Sequence, residues 1–125
     1  MMRTATRKIG SLYDEALAPF GINIAQYSLL RRIQHFQPIS FTQLGHEAEL
    51  DRSTVSRNVR VLEKAGLAET GKGEVDQREA VVSLTPKGAQ VLQDALPAWQ
   101  GCQKAMEDRL GAETLKNLAA TMAAL

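Results

Sequence analysis

Apolar residues near the start of the chain recur three and four positions apart, the spacing that places side chains on one face of a helix. This pattern covers residues 3–18, and Pro19 ends it. Asn23 and Gln26 then have the spacing of a capping box, which predicts a second helix from there to about Phe36. We therefore expect two successive helices in the first third of the chain.

Residues 40–66 predict two short helices joined by a tight turn at about residues 49–51. Ser40 and Asp51 are suited to cap a helix N-terminus, and Gly66 is suited to the position just past a helix C-terminus. This arrangement is typical of a helix-turn-helix. The residues with the spacing of its inward face are Leu44, Ala48, Val55, Val59 and Leu62.

A β-hairpin is predicted after this helix pair. Residues 67–70 and the alternating apolar positions within residues 80–84 suit two short strands. The glycines at the ends of residues 71–73 suit a flexible loop tip between the strands.

A long helix is predicted to begin at Thr85-Pro86, a capping threonine followed by proline in the first turn. Its apolar residues continue at helical spacing to Met106, and Gly111 separates a last short helix. Pro97 removes a backbone hydrogen bond inside this helix, so we expect a kink or a split there. The predicted fold class is mainly α with a small β-hairpin wing, that is, a winged helix-turn-helix with additional helices at both ends.

The composition of the 125-residue chain, 44% hydrophobic and 23% charged, is typical of one soluble globular domain. We see no stretch apolar enough to cross a bilayer and no signal peptide, so we expect a cytoplasmic protein without a membrane partner. The single Cys102 excludes an intramolecular disulfide and a multi-cysteine metal site. Neither metal-ligand spacing nor a nucleophile motif is apparent, so we expect no metal, no cofactor and no enzymatic activity.

Positive charge is concentrated in the second helix of the helix-turn-helix. The net charge of the chain is only +1, so affinity for nucleic acid would have to come from such local clustering. Between Asp51 and Lys64 four basic residues oppose two acidic ones, 4 − 2, which leaves +2. A helical pair with a solvated polar face is the alternative interpretation of this segment alone. The side chains expected to contact bases or phosphates are Arg52, Ser53, Thr54, Ser56, Arg57 and Arg60.

The hairpin favours the interpretation as a DNA-binding protein. A glycine-containing tip can approach a duplex closely, and a positive side chain suits the narrow, electronegative minor groove. Lys72 and Arg78 are the candidates for that contact, and Asp76 could orient Arg78 through a charge-assisted hydrogen bond. The alternative for Asp76 and Arg78 is an ordinary surface ion pair.

Three segments together carry a resemblance to a known family. They are residues 51–57, residues 62–67, and Asp76-x-Arg78 followed by Leu84-Thr85. With these segments and this order of helices, the chain resembles the MarR family, the multiple-antibiotic-resistance type of bacterial winged-helix regulators, over nearly its whole length. It departs from the usual family pattern at Gly45 and Glu49, where alanine and glycine are common, and at Gln77, where another basic residue is common.

The resemblance implies a sequence-specific repressor that binds a pseudo-palindromic operator as a homodimer and is released by a small ligand. It implies a DNA-binding lobe at about residues 22–85, with dimerisation helices at about 1–20 and 86–125. Arg57 would then lie in the major groove and Arg78 in the minor groove.

The terminal helices carry more apolar side chains than a small winged-helix domain can cover, which independently favours a dimer. The alternative is a monomer whose terminal helices fold back onto its own core. The residues expected at the dimer interface are Ile9, Leu12, Leu110, Leu115, Leu118, Met122 and Leu125.

The resemblance also suggests a cleft for a small aromatic or phenolic ligand, lined by Tyr13, Leu17, Tyr27, Arg31, His35 and Trp99. The alternative is that these are core and surface residues without a ligand. Two further functions stay open: a redox-sensing regulator that uses Cys102, which otherwise packs in the core, and a winged-helix module that binds protein instead of DNA.

Overall fold

The computed structural model describes residues 2–73, 78–111 and 117. The helices that it contains are α1 (Met2–Leu17), α2 (Ile24–Phe36), α3 (Phe41–Ala48), α4 (Arg52–Lys64) and α5 (Pro86–Leu110), with a short 3-10 turn at Ala18–Phe20 after α1. The strands are β1 (Ile39–Ser40), β2 (Ala68–Lys72) and β3 (Ala80–Leu84). The predicted fold class, mainly helical with a small β wing, is confirmed. The predicted short helix after Gly111 lies outside the described ranges.

The helix starts follow the capping signals of the sequence. The Asn23 side chain accepts a hydrogen bond from the Gln26 backbone N–H at 2.8 Å, and the Gln26 side chain accepts one from the Asn23 N–H at 2.9 Å. The Ser40 hydroxyl accepts from the Gln43 N–H at 3.0 Å at the start of α3. Each bond satisfies an N–H that would otherwise lack a partner in the first turn, which confirms the predicted helix starts.

The three strands form an antiparallel sheet in the order β1-β3-β2. The predicted hairpin is present, with Ala68 opposite Leu84 and Lys72 opposite Ala80. The prediction that Gly71 and Lys72 belong to the loop tip was wrong, because both pair with β3 as the end of β2. Strand β1 was not predicted, since two residues are too few to show alternation.

The long helix α5 runs from Pro86 to Leu110 through Pro97, so of the two effects predicted for this proline, a kink or a split, the split does not occur. Pro97 is exposed, whereas Leu92 and Ala95 are buried in the main core before it and Trp99 packs against that core after it. Proline removes one hydrogen bond, but packing of the apolar face on both sides keeps the two halves in one helix.

The core lies between α2, α3, α4, the sheet and the first half of α5. A second, smaller cluster joins α1 to the far part of α5 and contains Ile9, Tyr13 and Met106. The five residues predicted for the inward face of the helix-turn-helix, Leu44, Ala48, Val55, Val59 and Leu62, are all buried, which confirms that prediction.

The turn between α3 and α4 depends on Gly45 and Glu49, the two positions at which the sequence departs from the pattern of the family that it resembles. A Cβ atom at Gly45 would lie 2.9 Å from the Leu50 carbonyl oxygen and 3.2 Å from Val55 Cγ2, so close packing at this point requires glycine. Glu49 ends α3 in the left-handed conformation, with φ 56° and ψ 41°. A residue with a Cβ is strained in that conformation, and glycine is not.

We expect Glu49→Gly to raise the free energy of unfolding by about 0.5–1 kcal/mol, because relief of the left-handed strain exceeds the added chain entropy of glycine. Urea denaturation measures the change. Gly45→Ala is the contrasting variant and should lower stability by about 1–3 kcal/mol, because the Leu50 backbone must move. A Glu49→Gly variant less stable than the wild type would contradict this reading of the turn.

Candidate nucleic-acid interface

Helix α4, which we call the reading helix after the DNA contact predicted for it, is fixed at its N-terminus by Asp51. One carboxylate oxygen of Asp51 accepts hydrogen bonds from the Thr54 N–H and from the Ser53 hydroxyl, both at 2.8 Å. These bonds, first of all the one from the Thr54 backbone, lower the pKa of Asp51. The carboxylate therefore stays charged at the positive end of the helix dipole.

The reading helix buries one face and exposes the opposite one. Val55, Val59 and Leu62 are at most 1% exposed and point into the core. The side chains predicted to contact DNA lie elsewhere on the helix: Arg52, Ser53, Arg57 and Arg60 are exposed, and Thr54 and Ser56 are half-buried at its flanks. One terminal nitrogen of Arg57 donates to the Thr54 hydroxyl at 3.3 Å, one turn earlier on the same helix.

Two more side chains on the exposed face, Val61 and Lys64, were not among the predicted site residues. Val61 follows Arg57 by four positions, and Lys64 follows Arg60 by four, so both extend the same helical face. The helical spacing that identified the inward residues would also have found these two.

The wing extends from the reading helix through β2 and β3. The Thr70 hydroxyl on β2 donates to a Glu63 carboxylate oxygen on α4 at 2.8 Å, which ties the wing to the helix. Lys72 is exposed at the end of β2, and Arg78 is exposed just before β3. Asp76 lies outside the described residues, so its predicted pairing with Arg78 stays a prediction.

The end of the reading helix is attached to the start of α5. The Thr85 hydroxyl donates to the Gly66 carbonyl at 2.5 Å and accepts from the Gly88 N–H at 3.0 Å, and the Lys87 ammonium donates to the Ala65 carbonyl at 3.0 Å. A Cβ at Gly88 would lie 2.0 Å from the Leu67 carbonyl oxygen, so only glycine permits this approach. The end of α4 and the start of α5 are therefore in direct contact.

A cleft of about 390 Å³ opens between α2 and α5. The Tyr27 and Trp99 rings stack across it with centroids 5.8 Å apart, and the Arg31 guanidinium lies 5.1 Å from the Trp99 centroid. Burial raises the pKa of the Tyr27 hydroxyl, and the charge of Arg31 acts in the opposite direction. The residues that line the cleft are Tyr27, Ser28, Arg31, Arg32, His35, Phe36 and Trp99.

Four of the six residues predicted for a ligand site therefore line one cleft, and Tyr13 and Leu17 do not. Leu17 is fully buried in the main core. Tyr13 belongs to the small cluster between α1 and α5, where its hydroxyl donates to the Gln103 side-chain oxygen at 2.6 Å. Burial, the first cause, and the nearby Cys102 and Glu107 raise the pKa of Tyr13 to about 12, so it stays a neutral donor.

Cys102 packs against the same small cluster and is half-buried. Burial raises the pKa of its thiol above the usual range. A raised pKa disfavours the reactive thiolate, so this environment supports a packing role over oxidant sensing.

The residues predicted for a dimer interface fall into three groups. Ile9 is covered by its own chain in the small cluster with Met106, and Leu12 on α1 is 38% exposed. The side chain of Leu110 and the residues Leu115, Leu118, Met122 and Leu125 lie outside the part of the chain that the structure describes.

Within the described residues, no group of three or more histidine, cysteine, aspartate or glutamate side chains is placed to hold a metal ion. In the same part of the chain, no helix has both the length and the apolar character needed to cross a membrane.

The family model described as "MarR family" matches residues 20–79. Among curated relatives, the uncharacterized HTH-type transcriptional regulator YdcH of Bacillus subtilis (strain 168) is 35% identical over 95 residues, which cover 73% of this chain and 62% of YdcH. The HTH-type transcriptional regulator Hpr of Geobacillus sp. (strain WCH70) is 27% identical over 94 residues, or 75% of this chain and 47% of Hpr. The matched part of the chain thus spans about half to three-fifths of these relatives.

Among solved structures, the fold is similar to that of the transcriptional regulator MosR of M. tuberculosis in complex with DNA, with a TM-score of 0.82. The two chains are 31% identical, and the match covers 97% of this chain and 89% of MosR.

We expect Asp51→Ala to lower the melting temperature at pH 7, because the first turn of the reading helix loses its cap. The pKa of Asp51 is lower in the folded state than its ordinary value of 3.8. The charged carboxylate therefore contributes its full stabilisation above pH 3.8, and this contribution is lost as the pH falls from 3.8 through the folded-state pKa. The difference in melting temperature between the wild type and Asp51→Ala should therefore become smaller in thermal melts below pH 3.8. Asp51→Asn is the control, because it keeps a side-chain oxygen that can accept the capping hydrogen bond. A loss of melting temperature in Asp51→Ala that does not change with pH would contradict the capping role of the charged carboxylate.

Proposed function

The chain belongs to the MarR family of winged helix-turn-helix transcriptional regulators, and on that premise we propose that it represses transcription by binding a specific double-stranded DNA site in the cytoplasm. The observation that carries this proposal is the exposed basic face of the reading helix, opposite a face that is completely buried. The relatives are transcriptional regulators, which are not enzymes.

In this proposal residues 22–85 form the DNA-binding lobe and the reading helix enters the major groove. Arg57 reads a base, because a guanidinium can donate two hydrogen bonds to guanine. Arg52 and Arg60 contact phosphates, which sets the position of the helix. Lys72 and Arg78 of the wing reach the adjacent minor groove, where the potential is most negative.

We propose a homodimer built from residues 1–20 and 86–125. Two-fold symmetry would place two reading helices about 34 Å apart, one turn of DNA, so the operator would be pseudo-palindromic. Exposed Leu12 on α1 and the apolar residues of the last segment, among them Leu118, support this assembly, because water is a poor environment for them.

The cleft between α2 and α5 is the proposed site for a small aromatic or phenolic ligand that releases the DNA. Stacked Tyr27 and Trp99 offer aromatic surfaces, and Arg31 offers a positive charge above them. A ligand there would change the position of α5 relative to the lobe, and the hydrogen bonds of Thr85 and Lys87 connect α5 to the reading helix.

The second candidate is a winged-helix module that binds a protein partner, and the low net charge of +1 supports it. Such a module would show neither salt-dependent affinity for DNA nor dependence on Arg57 and Arg78.

We expect Arg57→Ala to weaken the free energy of binding to the preferred DNA by about 1–3 kcal/mol and to relax the sequence preference, because a base contact is lost.

Arg78→Ala should weaken binding to all sequences and reduce the slope of log affinity against log salt concentration by about one. Lys104→Ala removes one exposed charge from α5 and should change neither property. Fluorescence anisotropy over a salt series, on DNA selected from random duplexes, measures the sequence preference and the salt dependence of binding.

Binding that is weak, independent of sequence and equal in all three variants would contradict DNA regulation. It would favour the protein-binding module.

We expect Leu118→Asp to dissociate the dimer and to lower operator affinity with it, because a charge at an apolar interface is costly. Light scattering gives the oligomeric state, and anisotropy gives the affinity. A wild-type protein that is already monomeric at micromolar concentration would contradict the proposed assembly.

Trp99 is the single tryptophan of the chain, so its fluorescence reports on the cleft. We expect 4-hydroxybenzoate, a phenolic anion used as the probe, to quench this fluorescence saturably and to weaken DNA binding. Arg31→Ala should weaken the affinity for this probe, measured from the concentration at half-maximal quenching, about tenfold, because a charge-assisted contact is lost. Arg109→Ala on the exposed end of α5 is the charge-matched control. Quenching that is linear and identical in both variants would exclude a site for this compound.

A further inference from the structure

Val61 is an apolar residue on the face of the reading helix that points away from the core. Its side chain is 49% exposed, whereas the other large apolar residues of this helix, Val55, Val59 and Leu62, are at most 1% exposed. A branched side chain at an exposed helical position also costs stability relative to alanine. Neither core packing nor helix formation accounts for a valine here.

The surroundings of Val61 indicate what could cover it. Arg57 lies one turn before it, Arg60 is its neighbour in the chain, and Lys64 lies one turn after it; all three are exposed. The nearby carboxylate of Glu63 is engaged with Thr70 of the wing. An apolar side chain among three cations suits a partner that is anionic as a whole and carries an apolar group at the point of contact.

We propose that Val61 is a specificity-determining residue that contacts the C5 methyl group of a thymine in the bound DNA. This inference rests on the proposed function, in which the exposed face of α4 enters the major groove. The phosphates of DNA match the three cations, and the thymine methyl is the apolar group that the bases present in that groove. Contact between the two removes apolar surface of both from water.

Helix geometry gives the position of this thymine. Val61 follows Arg57 by four residues, which is about 6 Å along the helix axis at 1.5 Å per residue. Successive base pairs are about 3.4 Å apart. The thymine should therefore lie about two base pairs from the base whose identity Arg57 reads.

The test begins with selection of DNA from random duplexes by the wild type and by Arg57→Ala. The position at which the Arg57→Ala variant loses its base preference is the base that Arg57 contacts. We expect the wild type to prefer a thymine about two base pairs from that position. A duplex with deoxyuridine at that thymine then lacks a single methyl group and retains every hydrogen-bonding group of the base. Deoxyuridine at a thymine outside the contacted half-site is the control.

We expect deoxyuridine at the predicted position to weaken wild-type binding roughly fivefold. Val61→Ala should weaken binding to the thymine duplex to a similar extent and should be insensitive to the deoxyuridine substitution. This variant keeps the fold, because alanine suits an exposed helical position, and a thermal melt verifies that.

Two results would overturn the assignment while leaving DNA binding intact. One is sequence-selective, salt-dependent binding that does not respond to the deoxyuridine substitution. The other is an equal loss for Val61→Ala on both duplexes, which would indicate a contact with deoxyribose. Failure of the proposed function itself would look different, since the wild type would then select no sequence at all.

Discussion

Burial of one face of the reading helix is the interaction on which the rest of the structure depends. Val55, Val59 and Leu62 insert into the core from α4, and their burial sets the rotation of the helix about its axis. The opposite face, with Arg57 and Arg60, is then exposed as a unit. Without this anchor the charges would be the same, but they would not share one surface.

Both ends of the reading helix are held by contacts that allow little adjustment. At the start, Asp51 caps the first turn, and the close approach of Gly45 to Leu50 fixes the angle to α3. At the other end, Thr85 and Lys87 donate hydrogen bonds to the Gly66 and Ala65 carbonyls, just past the last turn of α4. The two ends of α4 are thus in direct contact with the neighbouring helices α3 and α5.

The parts of the fold that could be predicted from sequence are those governed by neighbours three or four residues apart. The capping box at Asn23 and the cap at Asp51 are local hydrogen bonds, so residue type and spacing were sufficient. Strand β1 and the continuation of α5 through Pro97 were not predictable in this way. The first depends on pairing between Ile39 and Val82, and the second on packing along a whole helix.

The candidate site likewise has features that could be predicted from the sequence and features that only the tertiary structure shows. The sequence by itself indicated the family through its motifs. It also determined the reading helix and its basic face, because a helical period assigns every side chain to a face before any folding is considered. Only the tertiary structure decided that Tyr27 and Trp99, far apart in the chain, stack across a cleft while Leu17 is buried, and that Glu63 holds Thr70 of the wing. Such contacts arise when separate elements pack against a common core, and no local spacing encodes them.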